Sequence, residues 1–280
     1  MNQENLINYF NNQVDDIHSH LKIAGLSQST ELIHDLRVGI KRVRAFLFVL
    51  NLKKKNGKVK KILNKRIEKI FEKAGKLRNF QVYFEFVQEY EKLLKNEFYN
   101  FKEFISKKIN RKRKTLKRVL AANEKNPLEI LKAEVSESVI SLSNEKINQR
   151  IEKYLSNIRT QFEKTSNRLI AKNLHQQRKL LKEFRFCVEM INNEPQESET
   201  DNQIVKIKEI EDILGRWHDY NELKKVVEGY VSKLKKSDIE QVIRMNALGE
   251  AISYDIVLLL DNYYKIMPEF NLNYTATPLN

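Results

Sequence analysis

Four basic or titratable residues recur at the same spacing in two parts of the chain. Both sets have offsets of 0, 3, 7 and 10 and lie 141 residues apart: His34, Arg37, Lys41 and Arg44, then His175, Arg178, Lys182 and Arg185. On an α-helix these offsets fall within an arc of roughly 80° and extend about 15 Å along the axis. Each set therefore predicts a cationic stripe on one helix face, and we call these stripes the first and second basic rail.

Such stripes could bind the oxygens of an anion, because arginine offers a planar fork of donors and lysine a point charge. The alternative is a pair of solvated helix faces, which is what most basic runs are. Solvated faces usually place Glu one turn from Lys, whereas the positions of each rail hold no acid and Asp35 lies off the arc. Since the pattern is duplicated, we expect two unneutralised rails that can face one extended polyanion.

Helices that present these rails must bury another face. Apolar residues lie about 130° from the middle of each rail arc. They are Leu36, Ile40, Val43, Leu47 and Leu50 in the first helix, and Leu180, Leu181, Phe184, Val188 and Ile191 in the second. The chain of 280 residues has only seven Gly and four Pro, and 41% of its residues are hydrophobic. This composition and helical periodicity predict an all-α protein with a substantial core.

The repeat extends to a glycine four residues before Asn or Asp. Gly75 precedes Asn79 and Gly215 precedes Asp219, in nearly the same register relative to each rail. We expect each to be the turn of an αα-hairpin, where Gly ends one helix and Asn or Asp caps the next. The predicted helices lie near 4–25, 29–53, 57–75, 79–96 and 98–122, then near 144–165, 167–192, 203–215, 219–235 and 238–265.

This register predicts one domain built from two similar halves. The domain is expected at 1–267, with halves of about 1–125 and 140–267 joined by a helical segment at 128–143. We expect two helical bundles related by pseudo-twofold symmetry. An acidic loop at 192–202 and a loose tail at 268–280 complete the prediction.

The charge and cysteine content limit the classes of partner and compartment. A formal net charge of +14 predicts an acidic partner such as nucleic acid, an anionic membrane or a phosphate polymer. Cys187 is the only cysteine, so no intramolecular disulfide can form and a reducing compartment fits. No apolar run approaches 18 residues and no signal peptide is evident. We therefore expect a soluble cytoplasmic protein without a membrane span.

Signatures of catalysis are not found in the sequence. There is no His-Glu-x-x-His pair, Cys/His cluster, Gly-rich phosphate loop or nucleophile elbow, so no catalytic residue, metal ligand or cofactor is predicted. Inward carboxylates paired at ligand spacing are not expected either. His34 and His175 could each donate a hydrogen bond to an anion or be neutral structural residues; His18, His20 and His218 are interpreted as structural or surface residues. The sequence favours a binding module.

Two further basic clusters are interpreted as outward, solvated faces. One lies at 53–66 and includes Lys61 and Lys65. The other is a helical stripe opposite an apolar face, which we call the outer stripe: Lys107, Arg111, Lys114 and Arg118. Both would still raise the local concentration of an anion by electrostatic steering.

The quoted residues resemble the conserved histidine α-helical domain (CHAD) family over nearly the whole chain. The resemblance rests on His34, Arg37, Lys41, Arg42 and Arg44, on the second rail followed by Phe186, and on the two glycine landmarks. It implies two four-helix bundles with pseudo-twofold symmetry around a basic central cavity. It also implies non-catalytic binding of inorganic polyphosphate and possible targeting to polyphosphate granules. Asn79 stands where the family commonly has Asp, which puts any role of that carboxylate in doubt.

The polyphosphate-binding residues predicted in this way are the two rails with two neighbouring cations. They are His34, Arg37, Lys41, Arg42, Arg44, His175, Arg178, Lys179, Lys182 and Arg185, with Arg78, Lys61 and Lys65 as possible secondary residues. A nonspecific nucleic-acid-binding protein remains an alternative, because net charge and counterion release would serve it equally well. A polyphosphate-metabolising enzyme or its accessory subunit is a third possibility.

Overall fold

The computed structural model describes residues 2–52, 56–121, 127–166, 170–192, 202–235, 237–270 and 272. Within these ranges all regular secondary structure is helical, which confirms the predicted all-α fold. The elements are α1 (Gln3–Leu26), α2 (Thr30–Val49), α3 (Gly57–Ile62), a π-helical turn (Leu63–Ile67), α4 (Glu68–Leu94), α5 (Tyr99–Ala121), α6 (Pro127–Ile140), α7 (Asn144–Ser166), α8 (Ala171–Asn192), α9 (Asn202–Val231), α10 (Ile239–Ile266) and a 3₁₀ turn (Met267–Glu269).

Side-chain caps start several helices where the sequence offers them. The Ser29 hydroxyl accepts a hydrogen bond from the backbone N–H of Leu32 at 3.2 Å and so begins α2. Asn2 caps α1 in the same way. These caps satisfy N–H groups that have no partner inside the helix. At the other end of α4, Lys95 adopts a left-handed backbone with φ of 48° and stops the helix.

The predicted turns at Gly75 and Gly215 are wrong. α4 continues through Gly75 and Asn79, and α9 continues through Gly215 and Asp219, so neither glycine separates two helices. Neither glycine has a positive φ. A glycine inside a helix costs only about 1 kcal/mol relative to Ala, and packing along both sides of each helix outweighs that cost. The pattern of Gly before Asn or Asp therefore does not mark a helix end here.

The two rail helices share one hydrophobic core. On α2 and its C-cap Leu50, all five predicted apolar residues are buried, and on α8 four are buried while Ile191 is partly buried. This cluster also takes in residues of α1, α6 and α7. A second cluster joins α4, α5, α9 and α10. Fully burying each Leu, Ile, Val or Phe contributes roughly 1.5–3 kcal/mol, so the apolar faces fix how both rail helices rotate about their axes.

Corresponding helices surround the two rails. α2 packs against α1, α4 and α8, whereas α8 packs against α7, α9 and α2. Each rail helix thus lies between the helix before it and one long glycine-containing helix, and the two rail helices contact each other. The domain at 1–267 and its division into pseudo-twofold halves stay predictions.

Some predicted segments lie outside the described residues. They are most of the acidic loop at 192–202 and most of the tail at 268–280. Among the described residues, no helix is both long and apolar enough to cross a membrane.

Candidate functional site

Cations from both rails come together where α2 packs against α8. Burial, together with the neighbouring charges of Lys182, Arg37 and Arg178, lowers the pKa of Lys41 to about 7. Burial and Arg178 lower the pKa of Lys182 to about 8, against the opposing effect of Glu211. Such shifts arise when like charges share a partly desolvated space. The helices thus bring the two rails within electrostatic reach of each other.

We call Arg37, Lys41, Arg178 and Lys182 the central cluster. Burial, followed by repulsion from Arg178 and from Arg78 of α4, lowers the pKa of Arg37 to about 10. In the part of the chain that the structure describes, none of the four forms an ion pair with a carboxylate. Four cations are therefore held together without a direct counter-charge.

The two arginines of the central cluster differ in how they are held. The Arg37 Nη1 donates to the carbonyl oxygen of Phe71 at 2.8 Å, and its Cζ lies 4.3 Å from the centre of the Phe71 ring. The Nε of Arg178 is buried and has no hydrogen-bond partner among the described residues. A buried donor without a partner is unfavourable, so Arg178 lacks the hydrogen bond that holds Arg37 in place.

The histidines of the rails lie beside the central cluster and are biased towards the neutral form. Burial lowers the pKa of His34, and Arg78 lowers it further while Asp35 opposes the shift. Burial, Lys179 and Arg178 lower the pKa of His175. A neutral imidazole keeps one N–H donor and one acceptor. Each histidine can therefore still donate one hydrogen bond to an anion near neutral pH.

His218 belongs to the same site, although the sequence predicts only a structural or surface residue there. Its ring centre lies 5.1 Å from that of His175. Burial and then Arg178 lower its pKa, while Asp219 opposes the shift. The available signal was its position three residues after Gly215, within the second glycine landmark.

The expectation that both rails are unneutralised is wrong at their C-terminal ends. Arg185 is paired with Glu189, one turn later on α8, and with Glu211 of α9 through Nε at 3.1 Å and Nη2 at 3.2 Å. Glu189 also binds the Nε of Arg42 at 2.9 Å. Glu189 and Glu211 are only 7% and 6% exposed. We call these four residues the ion-pair network.

The ion-pair network brings two inward carboxylates, Glu189 and Glu211, to one arginine, Arg185, an arrangement that the sequence did not predict. Burial opposes the charge of Arg185, but Glu211 and Glu189 outweigh burial and raise its pKa. Two carboxylates and two guanidinium groups make the network neutral. Arg44 is paired as well, with its Nε 3.4 Å from Glu68. The spacing of the rail positions could not reveal these pairs, because Glu189 lies one turn beyond the rail and Glu211 comes from another helix.

The remaining predicted residues lie around the central cluster or away from it. Arg78 acts on the pKa of both His34 and Arg37, and its Nη1 lies 3.5 Å from Glu85. Lys179 lies beside His175 and lowers the pKa of that histidine. Lys61 and Lys65 lie on α3 and on the π-helical turn that follows it.

The outer stripe lies along α5, as predicted, opposite the buried Ile105, Ile109 and Leu116. Its four members are Lys107, Arg111, Lys114 and Arg118. Lys107 is paired with Glu103 at 2.9 Å. Over the described residues there is no group of three or more His, Cys, Asp or Glu side chains that could hold a metal ion.

Comparison with known proteins places the chain in a family. The model of the CHAD domain matches residues 8–228. No curated protein matches the sequence. Among solved structures, the CHAD domain from the plant Ricinus communis superposes with a TM-score of 0.67 at 16% identity, covering 96% of this chain and 88% of that one. PptA from Streptomyces chartreusis superposes with a TM-score of 0.70 at 11% identity, covering 95% and 99%. These structures have the same fold, and the family match over most of the chain shows that this protein belongs to the CHAD domain family.

Proposed function

We propose that this protein binds inorganic polyphosphate at the central cluster and does not cleave it. The CHAD family is linked to polyphosphate binding in general. The bound chain would lie between α2 and α8, where it contacts both rails. Targeting to polyphosphate granules would follow from the same binding.

The observation that most supports this proposal is the unpaired charge of the central cluster. Lys41 and Lys182 have pKa values lowered to about 7 and about 8 because burial and like charges disfavour their cationic forms. A polyanion placed among these groups would relieve the repulsion, because each phosphate supplies the missing counter-charge. It would also provide acceptors for the buried Nε of Arg178.

Polyphosphate suits this site better than nucleic acid does. The central cluster consists of two arginines and two lysines, whose donors and charges suit the closely repeated phosphate oxygens of polyphosphate. Phe71, an aromatic residue beside the cluster, is itself covered by the Arg37 guanidinium at 4.3 Å, so its face is not a free platform for base stacking. Without this platform for stacking, a nucleic acid would depend mainly on contacts to its backbone phosphates.

The pairing of the inward carboxylates with arginine fits a protein that binds polyphosphate without cleaving it. Glu189 and Glu211 are the buried acids among the described residues, and both are bound by Arg185. An arginine-bound carboxylate is a poor metal ligand and a poor base, because its lone pairs already accept charge-assisted hydrogen bonds. The CHAD domain is a helical domain and not a known catalytic fold.

The proposal is tested by comparing two variants that lose the same charge. One replaces all four residues of the central cluster by Gln, and the other replaces all four residues of the outer stripe by Gln. Each variant lowers the formal net charge by four, and at pH 6, where Lys41 and Lys182 are cationic, long-range steering changes comparably. Affinity is measured for long-chain polyphosphate, single-stranded DNA and double-stranded DNA at matched ionic strength.

We expect wild type to prefer polyphosphate, and only the central-cluster variant to lose nearly all of this binding. The outer-stripe variant should bind modestly more weakly through a slower association rate. The central-cluster variant should keep its helical circular dichroism, because Gln removes repulsion and leaves the apolar faces unchanged. Equal losses in both variants, or equal affinity of wild type for all three polymers, would refute the proposal.

A further inference from the structure

The duplicated glycines lie inside helices and face the rail arginines. Gly75 of α4 lies directly under the guanidinium of Arg37. A Cβ atom at position 75 would overlap Nη1 of Arg37 and would lie 3.0 Å from its Cζ. The missing side chain of Gly75 therefore creates the space that the guanidinium occupies.

Two neighbouring features of α4 hold Arg37 in this space. The carbonyl oxygen of Phe71, one turn before Gly75, accepts the hydrogen bond from Nη1 at 2.8 Å. The Phe71 ring lies 4.3 Å from Cζ, within the range of a cation–π contact. A guanidinium has five N–H donors, so this anchoring leaves donors for a ligand.

The equivalent glycine in the second half does not have this role. A Cβ atom at position 215 would lie 4.0 Å from the Nε of Arg178, which is ordinary van der Waals distance. Arg178 makes no hydrogen bond through its buried Nε among the described residues. The same sequence landmark thus holds one arginine firmly and leaves the other with an unfilled donor.

We propose that Gly75 is a positioning residue that seats Arg37 in the central cluster before ligand arrives, whereas Gly215 leaves Arg178 to be fixed by the ligand itself. The functional part of this inference rests on the proposed polyphosphate binding. A guanidinium that is already ordered loses less conformational entropy when it binds a phosphate. Any side chain at position 75 would displace Arg37 from Phe71 and remove that advantage.

The matched variants Gly75→Ala and Gly215→Ala test the functional part. Both favour the helix, because Ala has a higher helix propensity than Gly. We expect Gly75→Ala to weaken polyphosphate binding roughly three- to ten-fold, the order expected when one long side chain must be reordered, and Gly215→Ala to leave it unchanged. In an Arg37→Ala background, Gly75→Ala should cause no further loss. Equal losses in the two variants, or a full loss that persists without Arg37, would overturn the inference.

A second readout is independent of any ligand. Thermal unfolding is measured for Gly75→Ala with Arg37 present and with Arg37→Ala, which gives a double-mutant cycle. If Arg37 occupies the Gly75 space, Gly75→Ala raises Tm only when Arg37 is absent, while Gly215→Ala raises it in both backgrounds. If Gly75→Ala raises Tm as much with Arg37 present as with Arg37→Ala, Arg37 does not occupy the space beside Gly75 and the inference is wrong. Failure of wild type to bind polyphosphate would overturn the proposed function, whereas this cycle tests the packing separately.

Discussion

Polyphosphate binding should weaken steeply as pH rises above neutrality, because two lysines of the central cluster lose their protons in that range. In the free protein, burial and like charges lower the pKa of Lys41 to about 7 and that of Lys182 to about 8. A lysine with a lowered pKa is cationic below that value and neutral above it. A bound polyanion favours the cationic form, so ligand binding raises both pKa values and takes up protons above pH 7. Raising the pH therefore opposes binding.

The size of this effect follows from the distance between the working pH and each pKa. Reprotonation at pH 9 costs about 2.7 kcal/mol for Lys41 and about 1.4 kcal/mol for Lys182, at roughly 1.36 kcal/mol for each pH unit. If both lysines become fully charged in the complex, affinity falls roughly a thousand-fold between pH 6 and pH 9. His34 and His175 contribute little to the pH dependence of affinity above pH 7, because their lowered pKa values make them neutral there.

The assay is isothermal titration of long-chain polyphosphate at constant ionic strength across this pH range. Repeating it in buffers of different ionisation enthalpy measures the number of protons taken up, which should approach two at pH 9. The control is the double variant Lys41→Arg and Lys182→Arg, because arginine stays charged throughout and should flatten the pH profile. An affinity that is constant from pH 6 to pH 9, or a double arginine variant that keeps the full wild-type slope, would contradict the reasoning.

Three further outcomes are expected. The logarithm of polyphosphate affinity should fall with the logarithm of salt concentration with a slope of about −3, if four cations release counterions as they do on single-stranded nucleic acid. The same slope in a variant whose central cluster is replaced by Gln would contradict the assignment of these four cations to the site. Glu211→Gln should reduce the free energy of unfolding in urea by about 3 kcal/mol, because it removes a buried carboxylate and leaves the partly buried Arg185 short of a counter-charge. A loss below about 1 kcal/mol would show that the ion-pair network is not held together as described. Cys187 should react with a thiol reagent only on unfolding, because it is fully buried and burial raises its pKa to about 12. Rapid labelling of the native protein would argue against the placement of Cys187 in the core.

The sequence was sufficient to predict features that depend on spacing along one helix. The apolar arcs of α2 and α8 are buried as their periodicity requires. The outer stripe lies opposite the buried face of α5 for the same reason. Local periodicity fixes which residues share a helix face, so these features need no knowledge of the partner helices.

Prediction failed where the outcome depended on another helix. The sequence predicts that Gly75 and Gly215 end helices, yet α4 and α9 run through them because tertiary packing outweighs a weak local signal. Glu211 could not be assigned to Arg185 from the sequence, since 26 residues separate them. His218 could not be assigned to the site for a similar reason, because its distance from His175 depends on how α9 packs against α8.

By itself the sequence determined the helical class, the duplicated rails, the net charge of +14 and the family resemblance. Only the tertiary structure decided which rail cations are unpaired, and it divided each rail into an open part and a neutralised part. The central cluster has no carboxylate partner among the described residues, whereas Arg44 is paired with Glu68 and Arg185 with Glu189 and Glu211. Formal charge depends on residue type alone, but pairing and pKa depend on distances and burial that exist only after the helices have packed.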